Sequence, residues 1–314
     1  MKEVHIGYDA YVSKELICYG YGASRTTGKS TLGDSPSDDT CRSLFDEHAD
    51  LLNAEEWFLQ ADYRIKSDDS PLIRQNFELL KAALIDILDE VTEIKVSPVA
   101  PGGNPQQGLQ FKTPYGWVRL REMSLGYQTM VVWITDFASK LFIRYPESKN
   151  PLAEPAIVLI DEIDLHLHPE WQRKLIGYLS RLFPNTQFIA TAHSPLVVQA
   201  ASDAGANVVL LKRVSDQTIV VQDLEDVRGW RVDQILSSEL FDSTPARSPD
   251  TEEKLARRRA LLAKKRLTKA DKEALAQLNA ELPPLPFGDT PEVQQADAKI
   301  QALLQKLGKQ PSAR

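Results

Sequence analysis

The sequence predicts an α/β fold in which a parallel sheet carries functional residues at one edge. One observation is the continuous apolar run IVLI at residues 157–160, typical of a strand buried on both faces. A second apolar run, TQFIATA, occupies residues 186–192. Between the two runs, EWQRKLIGYLSRLF has apolar residues at helical spacing and follows Pro169, which fits the first turn of a helix.

A strand, a crossover helix and a second strand form a βαβ unit, which is right-handed almost without exception. Both strands therefore end at the same edge of the sheet, where open α/β sheets bind ligands. The first strand brings Asp161 and Glu162 to that edge, and the second brings His193. We expect these three side chains to form the centre of a functional site.

Composition places the chain among ordinary globular proteins. The chain has 314 residues, which is long enough for one large or two moderate domains. Of these residues, 42% are hydrophobic and 26% are charged, as in ordinary soluble domains. No apolar run reaches the roughly 18 to 20 residues that span a bilayer, and the N-terminus lacks a signal-peptide core, so we expect a cytoplasmic protein without a membrane partner. Two cysteines are too few for a disulfide framework, and a formal charge of −7 argues against broad nucleic-acid affinity.

The N-terminal region contains two β-rich pieces, EVHIGYDAYV and KELICYGYG, followed by a polar loop. Residues 23–30 of that loop fit a relaxed phosphate-loop pattern ending in Gly28, Lys29 and Ser30. A working phosphate loop needs a helix after it, and Gly33 and Pro36 oppose one. Two interpretations stay open, a nucleotide-binding loop and an exposed loop without a catalytic role.

A helical subdomain is predicted next. AEEWFLQADYRI reads as a helix that begins after Asn53, with Glu56 as its capping partner. SPLIRQNFELLKAALIDILDEV reads as a second helix. GLQFKTPYGWVRLREM then predicts a β-hairpin that turns at residues 114–116.

The segment SLGYQ, residues 124–128, opens the apolar helix TMVVWITDFASKLFIRY. Ser124 and Gly126 at a helix start leave a hydroxyl and backbone amides available, which together make an anion site. A plain helix cap is the alternative interpretation.

The C-terminal part changes character at about residue 226. Before it, PLVVQAA predicts a short helix, and NVVLLKR and TIVVQDL predict strands that extend the sheet. After it come charged helical stretches, one opening at Thr268, and a last helix, VQQADAKIQALLQKL. The basic residues between 257 and 266 favour a solvated helical face, with nucleic-acid contact as the alternative. We therefore divide the chain into residues 1–150, 151–225 and 226–314.

Three motifs, SLGYQ, VLIDEIDLHLHP and ATAHSP, resemble in order and spacing the signature motif, the Walker B motif with its D-loop, and the histidine switch of ABC-type ATPases. They are most similar to RecF/SMC/OLD-type AAA-labelled ATPases, including those of Septu and retron anti-phage systems. YGASR at residues 21–25 adds to the resemblance. It implies a P-loop NTPase fold of the ABC type, with a helical insertion and a C-terminal helical tail.

The resemblance also implies roles for individual residues. Asp161 would hold Mg²⁺, Glu162 would polarise the attacking water, and His193 would contact the γ-phosphate of ATP. The signature residues Ser124, Gly126 and Gln128 would bind nucleotide held by a second protomer, and Asp164 would lie in the D-loop at that interface. The implied cofactors are ATP and Mg²⁺, and the implied assembly is a homodimer or higher oligomer of ATPase heads.

One departure from the family pattern concerns the Walker A loop, which in the family precedes the YGASR segment. Here YGASR begins at residue 21, so the resemblance implies a partial ATPase without the first lobe. If residues 23–30 are the loop, the chain is a complete small ATPase. The implied output is the switching of an effector such as a nuclease. Alternatives are an inactive regulatory module and a DNA-repair ATPase, for which nucleic acid would be a partner.

Overall fold

A computed structural model describes residues 18–25, 39–68, 70–97, 108–222, 224–264 and 266–282. The predicted strand EVHIGYDAYV, residues 26–30 of the candidate phosphate loop and the predicted last helix lie outside these ranges. The chain divides into two compact units, Met1–Ile235 and Leu236–Arg314. Within the described ranges, no helix combines the length and the apolar character that crossing a bilayer requires.

The secondary structure of the described residues comprises strands, α-helices and short 3₁₀ turns. The strands are β1 Cys18–Tyr21, β2 Glu93–Ser97, β3 Gly108–Thr113, β4 Gly116–Arg119, β5 Ala156–Ile160, β6 Thr186–Ala190, β7 Leu210–Val214 and β8 Gln217–Val221. The helices are α1 Arg42–Phe45, α2 Ala54–Asp68, α3 Pro71–Ile87, α4 Leu125–Arg144, α5 Pro169–Leu182, α6 Pro195–Asp203, α7 Val232–Leu236, α8 Pro249–Leu262 and α9 Lys269–Glu281. The 3₁₀ turns are Leu120–Glu122, Pro151–Ala153 and Glu239–Phe241.

The central sheet of the first unit has the order β1-β5-β6, and both pairings are parallel. Tyr21 lies opposite Ile160, and Ile160 lies opposite Ala190, so the three strands end together. Helix α5 connects β5 to β6, as the apolar periodicity predicts. The predicted βαβ unit and its parallel sheet are confirmed.

Helix α4 fills the core beside this sheet. It is buried along most of its length, and Trp133 and Phe137 are fully buried. The ring of Phe137 meets the ring of Tyr19 on β1 edge-on, with centroids 5.3 Å apart. A helix that is apolar on nearly all sides must be covered on nearly all sides. Helix α4 is therefore the element against which the other layers pack.

A buried carboxylate on α4 ties three parts of the first unit together. Asp136 accepts a hydrogen bond from the Tyr21 hydroxyl at 2.8 Å and from the Leu52 amide at 3.2 Å, and it pairs with Lys140 at 2.7 Å. Burial and the neighbouring Asp136 carboxylate raise the pKa of Tyr21, so its hydroxyl remains a donor. A buried charge is stable only with such partners. The network fixes β1 to α4 and to the segment that leads into α2.

The helical insertion and the hairpin form as predicted. The Asn53 side chain accepts a hydrogen bond from the Glu56 amide at 3.2 Å and so caps α2, and the Phe58 and Phe77 rings join α2 to α3 at 5.5 Å. Strands β3 and β4 pair around a turn that Thr113 and Gly116 close. Strand β2, which the sequence pattern does not single out, adds to β3 in antiparallel orientation.

The prediction that NVVLLKR and TIVVQDL extend the central sheet is wrong. Strands β7 and β8 form a separate two-stranded antiparallel sheet. The two residues between Val214 and Gln217 allow only a hairpin, whereas parallel neighbours need a long crossover. The apolar residues that suggested buried strands are largely exposed, 60% for Leu211 and 55% for Val220.

The second unit contains α8 and α9. The Thr268 side chain accepts from the Asp271 amide at 3.2 Å, and the Asp271 carboxylate accepts from the Thr268 amide at 2.9 Å, which completes a capping box and confirms the predicted start of α9. In the basic stretch, Arg259 pairs with Glu252 and Lys264 pairs with Asp271. These ion pairs favour the solvated-face interpretation.

Replacing Tyr21 by Phe tests the Asp136 network. The change keeps the ring and removes one hydrogen bond to a buried charge, so we expect the free energy of unfolding to fall by about 1.5 to 3 kcal/mol in urea denaturation. Tyr63→Phe is the matched control, because Tyr63 is 72% exposed and its hydroxyl loss should stay within about 0.5 kcal/mol. Equal effects of the two substitutions would contradict the proposed importance of the network.

Candidate functional site

The candidate site begins where β5 ends. The Asp161 amide donates to the Tyr21 carbonyl oxygen at 2.8 Å, and the Thr191 amide donates to the Ile160 carbonyl oxygen at 3.0 Å. Backbone hydrogen bonding thus continues one residue beyond β5 and one residue beyond β6. Asp161 and Glu162 leave the sheet beside Thr191, two residues before His193.

Thr191 connects the two acidic residues. Its hydroxyl donates to Asp161 Oδ1 at 2.6 Å and accepts from the Glu162 amide at 2.7 Å. A single hydroxyl therefore orients the Asp161 carboxylate and the Glu162 backbone together. Sequence reasoning did not single out Thr191, and its signal was its place at the end of a strand inside ATAHSP.

Glu162 itself has an unusual backbone. Its φ is +49°, in the left-handed region that non-glycine residues rarely occupy. Its carbonyl oxygen accepts from the Leu165 amide at 3.0 Å and from Arg25 Nη2 at 2.5 Å. Arg25 comes four residues after the end of β1 and is buried, with 4% of its surface exposed. Sequence reasoning recorded Arg25 only as part of the YGASR segment.

Asp164 and His193 are also brought together. The His193 amide donates to the Asp164 carboxylate, at 3.3 Å from Oδ1 and 3.2 Å from Oδ2. This contact joins the loop after β5 to the segment after β6. Two residues of different predicted motifs are therefore joined by hydrogen bonds. Together with Asp161, Glu162 and Thr191, they form what we call the hydrogen-bonded corner of the site.

The side chain of Gln172 on α5 makes hydrogen bonds to the loop after β5 and to the segment after β6. Its Nε2 donates to the Leu167 carbonyl oxygen at 3.0 Å and to the Asp164 carbonyl oxygen at 3.3 Å, while its Oε1 accepts from the Ser194 hydroxyl at 2.7 Å. Ser194 in turn accepts from the Leu196 amide at 3.1 Å and caps α6. The loop after β5 and the start of α6 are thus held by one side chain.

The SLGYQ segment lies at the start of α4, as predicted. Ser124 occupies the N-cap position with an extended backbone, but its side chain makes no capping hydrogen bond within the described part of the chain. Gln128 donates through its amide nitrogen Nε2 to the Met123 carbonyl oxygen at 2.8 Å. Ser124 is exposed, and its side chain is therefore not engaged as a cap of α4.

Gly126 brings the start of α4 against the loop after Asp164. A Cβ atom placed on Gly126 would lie 2.6 Å from the His166 carbonyl oxygen, closer than any real Cβ contact. Only glycine permits this approach of the two backbones. The SLGYQ segment and the loop carrying Asp164 are therefore direct neighbours, although about 40 residues separate them in sequence.

The described residues contain no group of three or more His, Cys, Asp or Glu side chains arranged to hold a metal ion. Asp161 remains a suitable single ligand, because Mg²⁺ is usually held by one or two carboxylates together with substrate phosphates. Thr191 donates to only one oxygen of a carboxylate that offers about four acceptor positions. Gly28, Lys29 and Ser30 lie outside the described residues, so that prediction stays untested.

The arrangement matches what the resemblance to ABC-class ATPase heads implies. An acidic pair ends a central parallel strand, a histidine follows the next strand, and a glycine at a helix start contacts the intervening loop. Comparison with known families agrees. The chain belongs to the family described as "AAA domain, putative AbiEii toxin, Type IV TA system", whose sequence model matches residues 24–199. The predicted fold class, an α/β P-loop NTPase of the ABC type, is confirmed.

Curated relatives are described as a Septu protein and as probable retron ATPases. Septu protein PtuA of Bacillus mycoides (strain KBAB4) is 29% identical over 85% of this chain and 35% of its own length. The Retron Vc95 probable ATPase of Vibrio cholerae serotype O1 biovar El Tor is 34% identical over 44% of this chain and 26% of its own length. The Retron Ec83 probable ATPase of Escherichia coli is 31% identical over 59% and 31%, respectively. The chain thus spans about a third of the length of these relatives.

Solved structures with partial similarity include SMC heads. The SMC head domain from Thermotoga maritima gives a TM-score of 0.34 at 17% identity, over 53% of this chain and 52% of that chain. An SmcHead bound to the C-winged helix domain of ScpA gives 0.33 at 17% identity, over 47% and 42%. The fold assignment itself rests on the observed strand order and on the family match.

Replacing Gly126 by Ala tests the contact between α4 and the loop after Asp164. The added methyl group must displace the His166 carbonyl group, so we expect a loss of about 1 to 3 kcal/mol in the free energy of unfolding. Gly177→Ala is the matched control, since Gly177 is exposed on α5 and its added Cβ meets only the Arg181 side chain at 3.9 Å. That control should gain about 0.5 to 1 kcal/mol. A neutral Gly126→Ala would contradict the close approach.

Proposed function

We propose that this chain binds and hydrolyses ATP, dimerises when ATP is bound and thereby switches a partner effector in prokaryotic anti-phage defence. The observation that carries the proposal is the hydrogen-bonded corner at the sheet edge, where Thr191 joins Asp161 to Glu162 and Asp164 receives the His193 amide. The family match and the relatives described as probable ATPases support the same activity.

The division of labour follows from the chemistry of the side chains. Asp161, oriented by Thr191, would hold Mg²⁺, which supplies charge neutralisation on the ATP phosphates. Glu162, whose backbone is fixed on both sides, would position and polarise the attacking water. The exposed His193 would contact the γ-phosphate and respond to its loss. Phosphoryl transfer depends mainly on positioning and electrostatics, and this corner offers fixed backbone and charge.

The proposal of dimerisation is supported by the residues at the start of α4. Ser124 and Leu125 are exposed, and the uncapped Ser124 hydroxyl lies where the backbone amides of the first helical turn face outward. These groups suit a phosphate held by a second protomer. Because Gly126 touches the loop that carries Asp164 and His166, nucleotide bound across such an interface would bear on both segments at once.

The partner is proposed from the relatives' names and from the motifs of this chain. Relatives are described as a Septu protein and as retron ATPases. The motifs identified here all serve nucleotide chemistry, so we assign the effector activity, for example that of a nuclease, to a separate protein. Dimer formation on ATP would then be the signal that the effector reads.

Turnover measurements with Glu162→Gln test the proposal. Gln keeps the shape of the side chain and removes the base, so we expect the rate of phosphate release to fall by about 100-fold or more while MgATP is still bound. The trapped ATP should shift the variant to a dimer in sedimentation velocity. Glu170→Gln is the matched control, because Glu170 is exposed on α5 and pairs with Lys174; its rate should equal that of the wild type.

The remaining outcomes separate the alternatives. MgATP binding without turnover in the wild type would contradict hydrolysis and indicate a regulatory module. An unchanged rate in Glu162→Gln would contradict the role of that residue. Stimulation of turnover by DNA ends would favour a DNA-repair ATPase over an effector switch.

A further inference from the structure

We propose that Arg25 is a positioning residue for Glu162, holding the Glu162 peptide so that the carboxylate points to one place. Arg25 belongs to the YGASR segment, to which the resemblance gives no role, and the kinetic consequence of replacing Arg25 rests on the proposed ATPase function. The contact is direct, since Arg25 Nη2 donates to the Glu162 carbonyl oxygen at 2.5 Å across 137 residues of sequence.

Strand pairing explains why these two residues meet. Tyr21, the last residue of β1, lies opposite Ile160, the last residue of β5. The chain segments that follow the two strands therefore leave the same sheet edge side by side. Glu162 is the second residue beyond β5, and Arg25 reaches it from the fourth position beyond β1.

The segment that carries Arg25 is itself fixed. A Cβ atom on Gly22 would lie 2.2 Å from the Ser43 carbonyl oxygen, so the backbone at Gly22 is pressed against the residues of α1. The Ser24 hydroxyl donates to the Glu47 carbonyl oxygen at 3.1 Å. Arg25 therefore approaches Glu162 from an anchored backbone, so the contact costs little additional backbone entropy.

The Glu162 backbone needs such a constraint. Glu162 has a φ of +49°, in the left-handed region that glycine adopts readily and that glutamate adopts only at a cost in energy. Thr191 holds the amide of this residue, and Arg25 holds its carbonyl group together with the Leu165 amide. With both peptide groups fixed, the direction of the Cα–Cβ bond is fixed as well. An unusual backbone kept by surrounding contacts is common at functional sites.

The charge of Arg25 also suits this place. Burial lowers the pKa of its guanidinium group to about 10, and the nearby carboxylates of Asp161, Asp164 and Glu162 act in the opposite direction. The group therefore stays positively charged at neutral pH. Arg25 is a permanent counter-charge beneath three carboxylates that would otherwise repel one another.

Arg25 is not placed there to maximise stability. Its Nε atom is buried without a hydrogen-bond partner in the described part of the chain, which costs stability. The nearby carboxylates of Asp161, Glu162 and Asp164 are only partly buried, so water can solvate them when Met replaces Arg25, and the large cost of an unpaired, fully buried charge does not arise. Stability and catalytic positioning can therefore be separated by experiment at this residue.

The test compares Arg25→Met, which removes charge and donors, with Arg25→Lys, which keeps the charge. Arg181→Met is the matched control, since Arg181 lies on the surface and pairs with Asp86. We measure kcat and KM for MgATP, the thermal midpoint, and amide hydrogen exchange in the peptide covering residues 158–168. For Arg25→Met we expect kcat to fall roughly 10- to 100-fold with KM little changed, as for other outer-shell partners.

In the same variant, exchange should quicken in residues 158–168 and not elsewhere, and the thermal midpoint should shift by less than about 4 °C. Arg25→Lys should recover part of kcat, and Arg181→Met should match the wild type. An unchanged kcat, or a loss of kcat with faster exchange throughout the chain and a large fall in the midpoint, would overturn the proposal. If the wild type lacks turnover, the proposed function fails, and the exchange result alone decides: unchanged exchange in residues 158–168 overturns the positioning role.

Discussion

Parallel pairing of β5 with both of its neighbours is the interaction on which the rest of the structure depends. It places the ends of β1, β5 and β6 at one edge, and each residue that continues a strand becomes part of the site. Arg25 follows β1, Glu162 follows β5, and Thr191 follows β6. A shift of the register by one residue would exchange the two faces of β5 and separate these groups. The buried Asp136 network and helix α4 hold the sheet in this register from one side.

The corner above the sheet is built from backbone contacts more than from side-chain pairs. Both peptide groups of Glu162, the amide of His193 and the carbonyl groups of Asp164 and Leu167 are engaged. These contacts use the backbone of Glu162 and His193 and not their side chains. Preorganised groups of this kind are what electrostatic catalysis requires, because no reorganisation is needed during the reaction.

Much of the fold could be predicted because its signals are local. The apolar run of β5, the periodicity of α5 and the Asn53 cap of α2 are local patterns, and each one predicts its element from a few neighbouring residues. The predicted neighbours Asp161, Glu162 and His193 do lie at one edge, since topology alone demands it. The strands β7 and β8 form where the apolar runs predict them, but their pairing differs from the prediction. An apolar run does not reveal which strand it pairs with, and here a two-residue turn makes the two strands a hairpin.

Other parts of the site could not be predicted, for a different reason. Arg25 lies in a polar stretch without periodicity, and Thr191 looks like any residue at a strand end. Each of them makes a hydrogen bond to Glu162, which is 29 positions from Thr191 and 137 positions from Arg25. Such contacts are determined by how the strands pack and not by the local sequence. Gly126 could be placed at a helix start, but its contact with His166 follows only from the way α4 crosses the loop.

In the proposed function, the sheet edge holds MgATP through Asp161. Calorimetric titration of MgATP into the wild-type chain and into Asp161→Asn tests it most directly, with Asp216→Asn in the exposed β7–β8 turn as the matched control. We expect Mg²⁺-dependent binding by the wild type and the control, and binding weakened by roughly 10-fold or more in Asp161→Asn. Equal affinity of all three proteins, or no binding by the wild type, would contradict it.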